Sequence, residues 1–177
     1  MTNYMPVIGR KFHPDGSVRE FPGNTIICPV PPDSAAYKLA CGLVDDARAL
    51  PFARKLAFLP PSSLHMTVME LLTDQTRRAD KWTDLLPLDA PLEQTDQFFL
   101  RTVPAVPAPP AFCMRYAGAQ PNPGMSITLL PASAQDAQAL RVYRDAVSRA
   151  TGVRFADHDT YRYHISLAYL LMTLEPD

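Results

Sequence analysis

The chain has 177 residues, 47% hydrophobic and 20% charged, with a formal net charge of -1: ordinary globular composition, enough for one good core and short for two independent domains. So balanced a charge excludes the broad basic field that holds a long nucleic-acid backbone, and no apolar run reaches the length of a bilayer span. Cys28, Cys41 and Cys113 are odd in number, far apart and without a C-x-x-C pair, which argues against a disulfide framework or a thiolate zinc site.

The N-terminus lacks the charged and then continuously apolar layout of a secretory signal, so the expected compartment is the cytoplasm. His13-Pro14-Asp15-Gly16 is a strong turn signal between two short apolar stretches and predicts a hairpin over about 8–23. Residues 24–30 are β-branched and apolar and run into Pro31-Pro32, which predicts a central strand with a sharp stop. Asp33 or Ser34 then caps a helix to about residue 50, because Ala36, Leu39, Ala40, Leu43, Val44 and Ala47 recur at the spacing of one buried face. Residues 55–59 read as a short strand. Residues 64–72 read as a better one, entered from the breaker Pro60-Pro61-Ser62-Ser63.

A weak helical pattern surrounds Trp82, Leu85 and Leu86, while 92–103 fits helix or strand, with Phe98 and Phe99 turned inward. After a proline-rich connector, 112–116 and 124–130 read as strands separated by the turn-rich 118–123. Ser133 and Asp136 form a capping box for a helix that Gly152 ends, and its arginines, Arg141, Arg144 and Arg149, read as a solvated face. Residues 161–171 alternate as a last strand. The order of elements predicts an α+β fold of two similar halves within one two-lobed domain, 1–177: two antiparallel sheets facing a central cleft, with helices packed outside.

Two of these strands carry the same phrase. Leu64-His65-Met66-Thr67-Val68 and Tyr163-His164-Ile165-Ser166-Leu167 each place a histidine and a hydroxyl two residues apart, hence on one face of a strand. One such motif is weak. Two, inside apolar strands at corresponding places in apparent halves, point to paired imidazole chemistry. A neutral imidazole can take a proton from an attacking oxygen while a cationic one gives a proton to the leaving oxygen, and neither step needs a metal. Hydroxyls beside them can donate to the non-bridging oxygens of a phosphoryl group.

The pair His65-Met66-Thr67 and His164-Ile165-Ser166 resembles the two-histidine phosphoesterase superfamily, which includes cyclic phosphodiesterases and 2′,5′ RNA ligase-like proteins. The surrounding Gly9-Arg10-Lys11-Phe12-His13-Pro14-Asp15-Gly16 and His158-Asp159-x-Tyr161-x-Tyr163-His164 are similar to a poorly characterised branch of it. The resemblance implies a bilobal fold with a central cleft and a metal-independent site. His65 and His164 would be the acid/base pair and Thr67 and Ser166 the phosphate-holding hydroxyls.

Arg162, on the face of His164, is a further candidate for an anionic substrate. Tyr161, Tyr163 and Tyr169 fall on the opposite face and read as core or rim, while Tyr116 is a candidate to line the cleft. Arg10, Lys11 and Arg19 in the hairpin read as a solvated face, with a phosphate-contacting flap as the alternative. His13 and His158 invite a metal but lack a standard ligand spacing to a second firm candidate, so a structural role is expected. The reading is a hydrolase of a small cyclic or 2′,5′-linked phosphodiester, with no cofactor or metal. Its expected partner is a small phosphorylated or nucleotide-like substrate, with no extended nucleic acid and no membrane, and the protein is expected to be a monomer. The alternative is a non-catalytic module that binds a phosphometabolite or an RNA end in the same cleft.

Overall fold

The structure is a computed structural model describing residues 3–120 and 124–174. Its elements in chain order are β1 (Gly23–Pro29), α1 (Ala35–Arg48), β2 (Leu56–Phe58), β3 (His65–Thr73), α2 (Leu92–Thr102), β4 (Met114–Gln120), β5 (Gly124–Pro131), α3 (Ala134–Thr151) and β6 (His164–Leu170). All six strands join one antiparallel sheet in the order β1-β3-β6-β5-β4, with β2 pairing β6 beside that path. The expectation of two sheets facing one another is thereby corrected: the two motif strands lie side by side in a single sheet.

The reason is the pairing of β3 with β6. Met66 partners Ile165, the pair that joins these strands among the described residues. Further along the same strand β2 takes over, with Phe58 opposite Ala168 and Leu56 opposite Leu170. The β1–α1–β3 segment thus lies on one side of the junction and β5–α3–β6 on the other. The 24–30 segment, expected to be central, forms the edge strand β1: among the described residues it pairs with β3 alone.

One face of the sheet is apolar. Met66, Val68, Ile127, Ile165 and Leu167 pack with Ala40 and Val44 of α1 and Leu140 of α3. Full burial of one such Leu or Ile contributes about 1.5–3 kcal/mol, which fixes the register of the strands and turns their alternate residues to the other face. A second cluster joins Met69, Leu71 and Leu72 of β3 to Trp82, Phe99, Val147 and Val153.

Local chemistry sets the helix ends. Ser34 Oγ accepts from the Tyr37 amide and opens α1. Ser133 Oγ accepts from the Asp136 amide and opens α3, while the Asp136 carboxylate accepts from the Cys113 amide and ties that end to the chain before β4. Gly152, at φ 69°, closes α3 in the left-handed conformation that side chains resist. Residues 92–102 resolve as helix, since Thr95 and Phe99 bury one turn apart. The helical reading around Trp82 is corrected: a short 3-10 turn, Ala79–Lys81, forms there. Arg77 donates to the carbonyls of Leu88 and Ala90, and Trp82 Nε1 to that of Pro87, so the segment is held as an irregular loop by its own side chains. β4 extends to Gln120, and the part of the expected turn at 121–123 lies outside the described residues. No helix among the described residues is long and apolar enough to cross a membrane.

Candidate active site

The Met66–Ile165 pair positions the site. Partners across an antiparallel pair share a face, and their sequence neighbours point the opposite way. Met66 and Ile165 are both in the core, so His65 and Thr67 on one side, and His164 and Ser166 on the other, all emerge on the face away from the helices. All four are half-buried. Diagonal positions across a regular antiparallel pair stand about 7–8 Å apart in general.

The two histidines are held in the same manner. His65 Nδ1 lies 2.6 Å from the Ser63 carbonyl oxygen, and His164 Nδ1 lies 3.0 Å from that of Arg162. A carbonyl only accepts, so each Nδ1 carries the hydrogen and donates it. In the neutral ring that leaves Nε2 as the bare nitrogen, free to take a proton; in the cationic ring both nitrogens donate. Each ring is thus oriented by a backbone atom two residues before it, at the point where the chain enters its strand.

Beside β6 lies a cavity of about 520 Å³. His164, Ser166 and Arg162 line it, together with Ser126 and Thr128 of β5, which sit opposite Ser166 and His164 in the ladder. His65 and Thr67 are not among its walls. The cavity therefore extends from the His164 side of the motif pair. Gly124, also in its wall, presses against the β6 backbone: an added Cβ would stand 2.2 Å from the Ala168 carbonyl oxygen.

Tyr161, Tyr163 and Tyr169 line this cavity as well, and Tyr163 and Tyr169 also pack against the apolar clusters, so these rings belong to core and wall together. β6 begins at His164, after a 3-10 turn at His158–Thr160, so strand alternation does not extend back to Tyr161 and Tyr163. Tyr161 and Tyr163 meet edge to face, with centroids 5.5 Å apart. Tyr116 is 52% exposed and does not line the cavity.

Arg144 holds this wall and was misread as solvated. It is buried, at 4% exposure. It donates to the Val68 carbonyl and, at 2.8 Å, to the His158 carbonyl, and its guanidinium stacks 4.6 Å from the Tyr161 ring centre. A register shift in the β1–β3 ladder falls at Val68, because Ile27 pairs Thr67 while Ile26 pairs Met69. The bulge buries both Val68 and Met69 and returns Glu70 to the cavity face. Arg144 supplies the hydrogen bond that the bulged carbonyl lacks.

The Tyr161 hydroxyl is buried and, among the described residues, makes no hydrogen bond of regular geometry, although the Thr67 side chain lies close enough to act on it. Burial, and next the nearby Glu70 carboxylate, hold this phenol well above its ordinary range, so it remains a neutral O–H donor.

The other histidines lie elsewhere. His158 is 7% exposed and its Nε2 is 3.0 Å from Asp145 Oδ1. Asp145, His158 and Asp159 bring potential ligand atoms within 4.8 Å of one another, but Arg154 already donates to both Asp145 and Asp159, so a cation occupies that cluster. His13 borders a surface depression with Arg19 and Glu20. In the hairpin, Lys11 Nζ donates to Tyr169 Oη at 3.2 Å and lies over the rings of Phe21 and Tyr169, while Arg10 reaches Thr76 Oγ1. Lys11 alone of the three hairpin cations touches a wall residue of the cavity.

Sequence reasoning missed Ser126 and Thr128, although their alternation within 124–130 repeats the polar period of the histidine strands. It also missed Glu70, which the bulge moves to the cavity face, and Asp157, which reaches the cavity from the loop before β6.

Residues 11–126 match a family model named 2H-phosphodiest, a domain of unknown function (DUF1868). The matched span carries His65 and Thr67 and ends before His164 and Ser166. No curated protein matches the chain. Among solved structures, the crystal structure of a conserved protein of unknown function, ATU0111 from Agrobacterium tumefaciens str. C58, is similar to it. The two are 31% identical with a TM-score of 0.91, over 99% of this chain and 75% of that one.

Proposed function

The chain belongs to the 2H-phosphodiesterase family, and on that footing we propose that it hydrolyses a small phosphodiester, a cyclic phosphate or a 2′,5′-linked nucleotide, through His65 and His164 without a metal. One observation carries the reading. The two imidazoles flank the Met66–Ile165 pair on one face, each with Nδ1–H given to a backbone carbonyl and Nε2 left for chemistry.

In the proposed reaction water attacks phosphorus while one Nε2 takes its proton. The bond from phosphorus to the leaving oxygen breaks, and the other imidazole, entering as the cation, protonates that oxygen. A cyclic diester opens to a monoester, and the two histidines exchange protonation states, to be reset through solvent. Thr67 and Ser166 donate to the non-bridging oxygens as charge redistributes, and Arg162 adds a positive charge at the rim. The site lies within one domain of one chain, so a monomer suffices for the chemistry.

The binding-only alternative keeps one observation in its favour, that His65 and Thr67 do not line the large cavity. Turnover of cyclic and 2′,5′-linked phosphodiesters in the presence of chelator, with His65→Ala and His164→Ala as controls, separates the two. Hydrolysis abolished by either substitution is the expected result. Full activity in either variant sinks the acid/base assignment, and ligand binding without turnover in the unsubstituted protein, lost in the histidine variants, favours the binding module.

A further inference from the structure

The walls of the cavity say what the rest of the substrate is. Its charged side chains, apart from His164, are Glu70, Asp157 and Arg162. Among the described residues, the carboxylates of Glu70 and Asp157 make no ion pair and no side-chain hydrogen bond, and both residues are exposed. Both also border a small recess with Tyr161 and Arg144, so they stand at the same end of the cavity. Most of the remaining walls are tyrosine rings and Ser or Thr hydroxyls, with Gln120, Gly124, Met125 and Ala168 between them. Lys11, behind Tyr169 at the other end of β6, has its ammonium engaged by the Tyr169 hydroxyl and two rings.

We infer that, with the phosphodiester held at His164 and Ser166, the cavity takes an organic group rich in hydroxyl or amino donors and carrying no second phosphate. The inference rests on the phosphoesterase reading of the site. Two unpaired carboxylates accept hydrogen bonds from a sugar hydroxyl or an amine and repel a further phosphoryl group. The edge-to-face tyrosines Tyr161 and Tyr163 offer flat surfaces to a sugar or a base. A nucleoside cyclic monophosphate satisfies this wall. An ADP-ribose cyclic phosphate, or an oligonucleotide end bearing additional phosphates, places negative charge against Glu70 and Asp157 and is disfavoured.

The test uses the full chain and two compounds that differ by one phosphate: adenosine 2′,3′-cyclic monophosphate and the same molecule phosphorylated at the 5′ hydroxyl. Calorimetry with adenosine 2′-monophosphate and adenosine 2′,5′-bisphosphate supplies a readout independent of turnover. The expected result is a kcat/KM at least about tenfold higher for the singly phosphorylated substrate, since like charges brought together at a binding surface are strongly unfavourable. The same order is expected in affinity, and the preference narrows in the double variant Glu70→Gln, Asp157→Asn. Equal or inverted preference, a preference untouched by the double variant, or no binding of either nucleotide overturns the inference. Histidine-dependent turnover without the preference removes the inference and leaves the phosphoesterase reading standing. The predicted order of affinities without turnover does the reverse.

Discussion

Thr67 and Tyr161 stand together: the buried phenol reaches the neighbourhood of the threonine side chain and, among the described residues, completes no hydrogen bond of regular geometry. An unsatisfied buried hydroxyl costs about 1–3 kcal/mol. Its position beside a proposed phosphate-holding residue gives that cost a functional meaning, since a neutral phenol can donate to Thr67 Oγ1 when the threonine turns its own hydrogen toward a phosphoryl oxygen.

Tyr161→Phe removes one oxygen and keeps the ring on which Arg144 stacks. The melting temperature is expected to stay level or rise, because the unsatisfied group is gone, while kcat falls severalfold. A calorimetric melt and steady-state kinetics read the two effects separately. A fall in melting temperature would show that the hydroxyl has a structural partner.

Thr67→Val and Ser166→Ala remove the two motif hydroxyls with little change in packing, as both residues are half-buried on the open face. Each is expected to lower kcat about 10- to 100-fold, roughly 1.4–2.7 kcal/mol of transition-state stabilisation, with Thr67→Ser retaining most activity. An effect confined to KM would show that the hydroxyls hold the ground state equally well.

Arg144→Met leaves the Val68 and His158 carbonyls without their donor and is expected to cost about 2–4 kcal/mol in urea unfolding. Arg144→Lys recovers a part only, because one ammonium lacks the planar fork that reaches β3 and the 158 turn together. Stability unchanged in both variants would remove Arg144 from its structural role.

Asp145 tests the cluster behind the site. The Arg154 guanidinium first, and then the His158 ring, hold its carboxyl below the ordinary value of 3.8. A lowered folded-state pKa contributes stability that is fully present above the unfolded value and lost as pH falls through the folded one. Thermal melts are therefore expected to drop below about pH 4, and Asp145→Asn should make that drop shallower. The exposure of Arg154, 47% at its side chain, keeps the effect small. An unchanged acid slope in the variant would show that the drop originates elsewhere.

Much of the fold was legible in the sequence because its signals are local. Ser34 and Ser133 announce helix starts through side chains that reach an amide three residues on, and Gly152 announces an end because a backbone at φ 69° disfavours a Cβ. Alternation in 64–72 and 124–130 marks strands whose two faces differ. The loop around Trp82 was read wrongly because Arg77 and Trp82 bond to carbonyls as distant as Ala90, a pattern with no helical or strand period.

The site divides in the same way. Its four motif residues follow from the two-residue period of a strand, which by itself puts His65 with Thr67 and His164 with Ser166 on common faces. That these two faces are one face depends on Met66 meeting Ile165 across the sheet, a contact between distant parts of the chain. The return of Glu70 follows from the Val68 bulge in the β1–β3 ladder, and the burial of Arg144 from the carbonyls that this bulge and the turn before β6 offer it. The reactive groups and their pairing within each strand are therefore legible from residue order alone, because they are set by backbone geometry over a few residues. The pairing of the strands then set the two histidines on one face of the sheet and gave the cavity beside β6 its walls, because both depend on which strands share an edge.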